Sequence, residues 1–130
     1  MLEGQRFYRC KKCGNIIGFI KNSGVPMFCC GEEMSVLTAN TADAAQEKHL
    51  PVIAREGNLV KVSVSSVPHP MLPEHYIEWV YLLTTEGGHR KTLEPGKEAE
   101  LVFALTEGEQ PVAAFEYCNL HGLWKTDVTA

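Results

Sequence analysis

Val112-Ala113-Ala114-Phe115-Glu116-Tyr117-Cys118-Asn119-Leu120-His121-Gly122-Leu123-Trp124-Lys125-Thr126-Asp127-Val128 is the stretch on which the reading of this chain turns. Residues 112–118 and 123–128 read as two short strands, and the turn between them holds a cysteine and a histidine three residues apart. A thiolate and an imidazole at that spacing can close on one ion from a single tight turn. Taken alone, Cys-x-x-His says little, because a cysteine in an apolar run is more often a small buried hydrophobe than a ligand.

The rest of the second half repeats the strand signal. In Asn58-Leu59-Val60-Lys61-Val62-Ser63-Val64-Ser65 the valines fall on one face and Lys61, Ser63 and Ser65 on the other. Tyr76 to Leu83 is a longer strand with Ile77, Trp79, Tyr81 and Leu83 on one side. Glu86-Gly87-Gly88-His89-Arg90 reads as a turn, and residues 99–105 place Leu101, Phe103 and Leu105 inward. Short strands, Gly/Pro turns and no strong helical stretch predict a mainly β protein built on an antiparallel sandwich. No repeat and no low-complexity tract interrupts it.

Four histidines stand beside these strand ends or in proline-bounded loops. They are His49 in Glu47-Lys48-His49, His69 and His75 in the run Ser66 to Tyr76, and His121 itself. For any one of them a hydrogen-bonded surface or core histidine would be the ordinary reading. Four together with an isolated Cys118 point to a shared metal. His89, after two glycines and before Arg90 and Lys91, reads as a solvated turn residue and is set apart. Zinc prefers four ligands, and this set offers five. Blue copper would use two histidines, a cysteine and an axial methionine, but no methionine follows His121 and two histidines would be left over. Iron accepts four imidazoles and an axial thiolate with a sixth position open, an arrangement suited to one-electron reduction of a small oxygen species.

The other four cysteines lie in the first 30 residues, in Cys10-Lys11-Lys12-Cys13-Gly14 and Phe28-Cys29-Cys30-Gly31. Ile16, Ile17, Phe19 and Ile20 are too few for an independent core, so a unit over residues 1–36 needs a metal staple. Zinc and iron both accept four thiolates. Adjacent Cys29 and Cys30 predict some distortion of the tetrahedron.

Composition excludes several classes. A chain of 130 residues with net charge −4 lacks the basic footprint of sequence-independent nucleic-acid binding. No apolar run approaches membrane-spanning length. The first six residues carry no apolar stretch of signal-peptide kind, so a cytoplasmic location is expected, where clustered cysteines suit metal better than disulfides. A copper electron carrier, or a zinc-stapled module whose sandwich binds a partner protein, are readings from other classes that metal content would separate.

Taken together, Cys10-x-x-Cys13 with Cys29-Cys30, Glu47-Lys48-His49, His69-Pro70-Met71, Glu74-His75-Tyr76-Ile77-Glu78-Trp79 and Cys118-Asn119-Leu120-His121-Gly122-Leu123-Trp124 resemble desulfoferrodoxin, the two-iron class of superoxide reductase, over essentially the whole chain. The resemblance implies a rubredoxin-like domain over residues 1–36, with iron held by Cys10, Cys13, Cys29 and Cys30. It implies an immunoglobulin-like sandwich over 37–130, with a second iron held by equatorial His49, His69, His75 and His121 and axial Cys118. It further implies superoxide as substrate, rubredoxin or a similar small redox protein as electron donor, and a homodimer. Glu47 resembles the family's carboxylate that can occupy the sixth position of ferric iron. Lys48 would attract the anionic substrate and help protonate the product. Trp79, Tyr76 and Trp124 are expected as core or pocket walls.

Overall fold

The structure, a computed structural model, describes residues 5–41, 49–64 and 69–128. Among the described residues every regular element is a strand, and the chain divides into two compact units, Met1–Thr38 and Ala39–Ala130.

The first unit holds β1 (Phe7–Arg9), β2 (Ile16–Gly18), β3 (Phe28–Cys29), β4 (Glu32–Glu33) and β5 (Ser35–Val36). β1 lies between β2 and β5, antiparallel to both, while β3 and β4 form a separate hairpin. Among the described residues only Phe7, Cys10 and Met34 of its apolar side chains are buried, and Ile20, Val25 and Phe28 are exposed. So small a core cannot offset the entropy of ordering the chain, which leaves the staple to the cysteines. The β3–β4 turn is Cys30-Gly31, with φ of 54° and 77°. Positive φ at both central residues is the pattern of the two-residue hairpin whose twist matches its strands. It normally calls for Asn-Gly or Asp-Gly. A cysteine accepts the left-handed conformation here at some steric cost.

The second unit holds β6 (Val52–Glu56), β7 (Leu59–Ser63), β8 (Ile77–Thr84), β9 (Gly87–Thr92), β10 (Glu100–Ala104), β11 (Pro111–Cys118) and β12 (Gly122–Asp127). They form two antiparallel sheets, β10-β7-β6 and β12-β11-β8-β9. Three strands against four is the strand count of an immunoglobulin-like sandwich. Val60, Val62 and Phe103 of one sheet join Val80, Leu82, Ala114 and Cys118 of the other in a single buried cluster. The valine stripe of β7 is therefore core as expected, and Cys118 ends a strand inside it. Ser65 lies outside the described residues.

Two features depart from the sequence reading. Val52–Glu56 is a strand that the sequence reading passed over, because only Val52 and Ile53 in it are bulky apolar residues and its pairing with β7 is long-range. The segment 86–90, expected as a turn, is mostly strand: the turn is Thr85-Glu86, and Gly87 begins β9. Gly87 is there for its φ of 124°, and Gly88 for space. A Cβ on Gly88 would collide with the Tyr81 hydroxyl and ring, so the tyrosine ring of β8 lies across β9 where only glycine fits. β8 is also buried on both faces, with Val80, Leu82 and Thr84 inside as well as Ile77 and Trp79.

His89 is consequently not a solvated turn residue. Its Nε2 lies 2.8 Å from Glu109 Oε2, and Glu109 is buried between the β8–β9 turn and the loop before β11. Thr84 Oγ1 donates to the same carboxylate, and Thr106 donates to Oε1 through N–H and hydroxyl, each at 3.1 Å. The Thr84 bond first, then His89, draws the Glu109 carboxyl down to about 2. A carboxyl depressed on folding stabilises above the ordinary glutamate pKa of ~4.3, and that contribution disappears as pH falls toward 2. Glu109→Gln should therefore lower Tm by a constant amount above about pH 5. Below that the gap to the wild-type curve should narrow steadily, as thermal melts at a series of pH values would show.

Candidate metal centres

Two groups of ligand atoms gather among the described residues: Cys10, Cys13, Cys29 and Cys30, and His49, His69, His75, Cys118 and His121. Within each group the donor atoms lie within 4.8 Å of one another.

In the first group β1 ends at Arg9, so Cys10 leaves the strand into a turn closed by the Gly14 N–H to Cys10 C=O bond of 2.9 Å. Positive φ at Gly14 (84°) lets the backbone return beneath the sulfurs. Backbone N–H groups point at them: Cys13 N–H to Cys10 Sγ and Asn15 N–H to Cys13 Sγ, both 3.5 Å. Asn15 Nδ2 donates to Cys29 Sγ at 3.7 Å. Cys13 and Cys29 sulfurs are 3.6 Å apart, and Cys29 and Cys30 sulfurs 3.9 Å. Thiolates ~2.3 Å from a common ion in a tetrahedron stand ~3.8 Å apart, so both separations are ordinary. The distortion expected from adjacent cysteines appears in the backbone of Cys30 instead. The thiols also act on one another's protons. The Cys13 N–H, first among its neighbours, draws the Cys10 thiol down to about 6, whereas bonding to Cys13 and Cys10 pushes Cys30 up to about 12. Four thiolates cannot coexist here without a cation among them.

The second group is assembled by three segments. His49 opens the chain into β6, His69 and His75 bound the loop before β8, and Cys118 and His121 flank the β11–β12 turn. The four imidazoles form a closed ring in the order 49, 69, 75, 121. Neighbouring centroids are 4.8, 4.7, 5.0 and 4.8 Å apart, and neighbouring planes meet at 78–86°. Nitrogens face inward: His49 Nε2 is 3.0 Å from His121 Nδ1 and 3.2 Å from His69 Nε2. Imidazole nitrogens ~2.1 Å from an ion at the centre of a square stand ~3.0 Å apart, which is the spacing seen. Cys118 Sγ lies 3.6 Å from His69 Nε2 and 3.8 Å from His121 Nδ1. The donor set fits a metal that takes nitrogen and sulfur together.

The surroundings orient these ligands. His69 Nδ1–H donates to the Pro70 carbonyl at 2.6 Å, which leaves the Nε2 lone pair for the centre. Burial lowers the His69 ring to about 4, so it stays neutral and able to ligate. Trp124 is wholly buried, stacks on His49 at 4.8 Å, and donates Nε1–H to the His121 carbonyl at 3.2 Å. It is a pocket wall, as expected, and Trp79 lies instead against Tyr117 at 5.8 Å. Burial raises the Cys118 thiol, while the N–H groups of Leu120 and His121 draw it back.

Three residues that the sequence reading did not single out matter here. Glu116, on the same face of β11 as Cys118, is wholly buried, and among the described residues neither of its oxygens has a hydrogen-bond partner. Burial first, then the Cys118 charge, holds its carboxyl well above the usual range. Asn40 pins the segment leading toward His49 to the edge of β12, exchanging two amide bonds with Lys125 (2.8 and 3.1 Å). Asn119 bonds across to the His75 loop. No local spacing announces any of the three. Glu47 and Lys48 lie outside the described residues.

Comparison with known proteins agrees with this geometry. The desulfoferrodoxin family model matches residues 41–127. The desulfoferrodoxin of Syntrophotalea carbinolica is 42% identical over 127 residues, covering 98% of this chain and 99% of its own. A desulfoferrodoxin homolog of Archaeoglobus fulgidus is 43% identical over 126 residues, 97% of this chain and 99% of its own. The crystal structure of superoxide reductase from Treponema pallidum superposes with a TM-score of 0.82 at 40% identity, covering 96% of this chain and all of that one. A family match across most of the chain, with relatives this similar along nearly all of it, shows that the chain belongs to the desulfoferrodoxin family.

Proposed function

We propose that this protein is a superoxide reductase, joining superoxide, one electron and two protons into hydrogen peroxide. The observation that carries the reading is the closed ring of four imidazoles with the Cys118 thiol against it, together with a separate cluster of four thiols in the other unit. His49, His69, His75, His121 and Cys118 would hold the iron of the histidine site. Cys10, Cys13, Cys29 and Cys30 are assigned to a second, rubredoxin-like iron in the N-terminal unit. When bound, iron in the histidine site supplies the electron, made more available by the thiolate.

The chain's own groups do the rest. The Pro70 carbonyl fixes the His69 tautomer, and Trp124 closes the site behind His49 against water. Lys48 Nζ is assigned to attract the anion and deliver a proton, and Glu47 to offer an oxygen ligand to the higher charge. Rubredoxin or a similar small redox protein is the proposed donor, since the reaction consumes an external electron. Exposed Ile20, Val25, Met27 and Phe28 suit burial in a homodimer. Clustered free cysteines suit the reducing cytoplasm.

The purified protein should hold about two irons per chain. Given superoxide and a reductant, it should release one peroxide per superoxide and no dioxygen. Dioxygen at half the superoxide consumed would indicate dismutation. Copper near one per chain, or zinc without visible absorption, would sink the reading.

A further inference from the structure

We propose that Asn119 is a positioning residue for the histidine–cysteine centre, its side-chain amide standing in for backbone so that His75 is held against Cys118 and His121. The inference rests on reading that centre as a metal site. The β8–β11 ladder runs Glu116 to Val80 and Tyr117 to Trp79, then shifts, and Cys118 pairs with Ile77. One step further, Asn119 N–H donates to the Tyr76 carbonyl at 3.2 Å, as a strand residue would. The return bond differs. Tyr76 N–H donates not to the Asn119 carbonyl but to its Oδ1, at 2.9 Å. With the ladder closed through the side chain, the main chain can turn toward His121, and Gly122 (φ 79°) completes that turn.

The same amide then reaches over His75, Nδ2 donating to the Glu74 carbonyl at 3.0 Å. Both peptide neighbours of His75 are thus held by one residue of the Cys118–His121 turn. His75 itself closes on Leu72 through two backbone bonds of 2.9 and 3.0 Å, so its loop is tight. Without the amide, nothing else described ties Glu74 to the β11–β12 turn. The His75 ring, 5.0 Å from His121 and 4.7 Å from His69, would lose its fixed place in the ring of four.

The test uses iron-loaded protein and follows release of each iron to a ferrous chelator after reduction, the four-cysteine iron serving as internal reference. Groups that orient metal ligands typically contribute ~10–100-fold to metal affinity. Asn119→Ala should release the histidine-site iron at least ~10-fold faster than wild type, with a shifted thiolate-to-iron absorption band and unchanged release from the four-cysteine site. Asn119→Asp, which keeps the acceptor for Tyr76 N–H but loses the donor to Glu74, should fall between, and it carries the test should the Ala variant not fold. Wild-type release and an unshifted band in both variants would overturn the proposal. So would faster loss of both irons in step with a lowered Tm, because Asn119 would then hold only the fold. A wild-type protein that binds four-cysteine iron but none at the histidines would remove the metal-centre reading itself, and the proposal with it.

Discussion

Cys118→Ser is expected to bring superoxide reduction down to the uncatalysed background while the four-cysteine centre keeps its colour. A thiolate is a strong, polarisable donor that pushes electron density onto iron. A metal ion deprotonates a coordinated thiol outright even where burial alone would raise it, as burial does here. A serine hydroxyl at neutral pH remains an alcohol and donates far less. Cys118 is fully buried within the sandwich core, so a hydroxyl there also carries a desolvation cost of ~1–3 kcal/mol. Cys118→Ala separates the two effects, since it removes the sulfur without burying a polar group. Both variants should be inactive by pulse radiolysis; both should lose Tm through the lost ligand, the alanine with a cavity cost in addition and the serine with the cost of a buried hydroxyl. A serine variant reducing superoxide at the wild-type rate would show that the Cys118 sulfur does not hold the iron.

What the sequence disclosed and what it withheld divide along the range of the interactions. The valine stripe of β7 and the Cys118–His121 turn are written in residues a few places apart, so periodicity and spacing reach them. The nine residues that gather into the two clusters were legible for the same reason, since each sits in a short motif. β9 was not, because Gly87 and Gly88 signal a turn unless the Tyr81 ring that fills the space above Gly88 is known. His89 followed the same error: its partner Glu109 lies 20 residues on, and only the fold joins them. Asn40 and Asn119 are the extreme case. Asparagine near a turn ordinarily bonds its own neighbours, but these two bond partners 85 and 43 residues away and act as surrogate backbone. Glu116 interrupts an apolar strand as a charge would, and its burial is set by Trp124 and Val80, its register partners on either side.

Lys48→Ile is expected to slow the reaction of the reduced enzyme with superoxide by ~10-fold and to invert its response to salt. Superoxide is an anion, and residues 39–130 carry seven Lys and Arg against thirteen Asp and Glu, a net charge of −6. That field opposes encounter, so a local cation must overcome it. Lys48 adjoins His49 in the sequence, and the expected magnitude follows from a working separation of ~7 Å between a unit charge and the anion. At that distance a unit charge contributes ~0.6 kcal/mol in water and ~2.4 at an effective dielectric of 20, or ~3-fold to ~50-fold in rate. A tenfold effect lies between these limits. In the wild type, salt should slow the reaction by screening the attraction. With isoleucine at 48 only the repulsive field remains, and added salt should speed it. Lys48→Arg should keep most of the rate, and iron content and visible spectrum should not change in either variant. Second-order rates from pulse radiolysis between ~0.01 and ~0.5 M ionic strength decide the matter, since the Debye length shrinks from ~30 Å to a few ångströms over that span. An isoleucine variant as fast as wild type, with the same salt slope, would reduce Lys48 to a solvated loop charge.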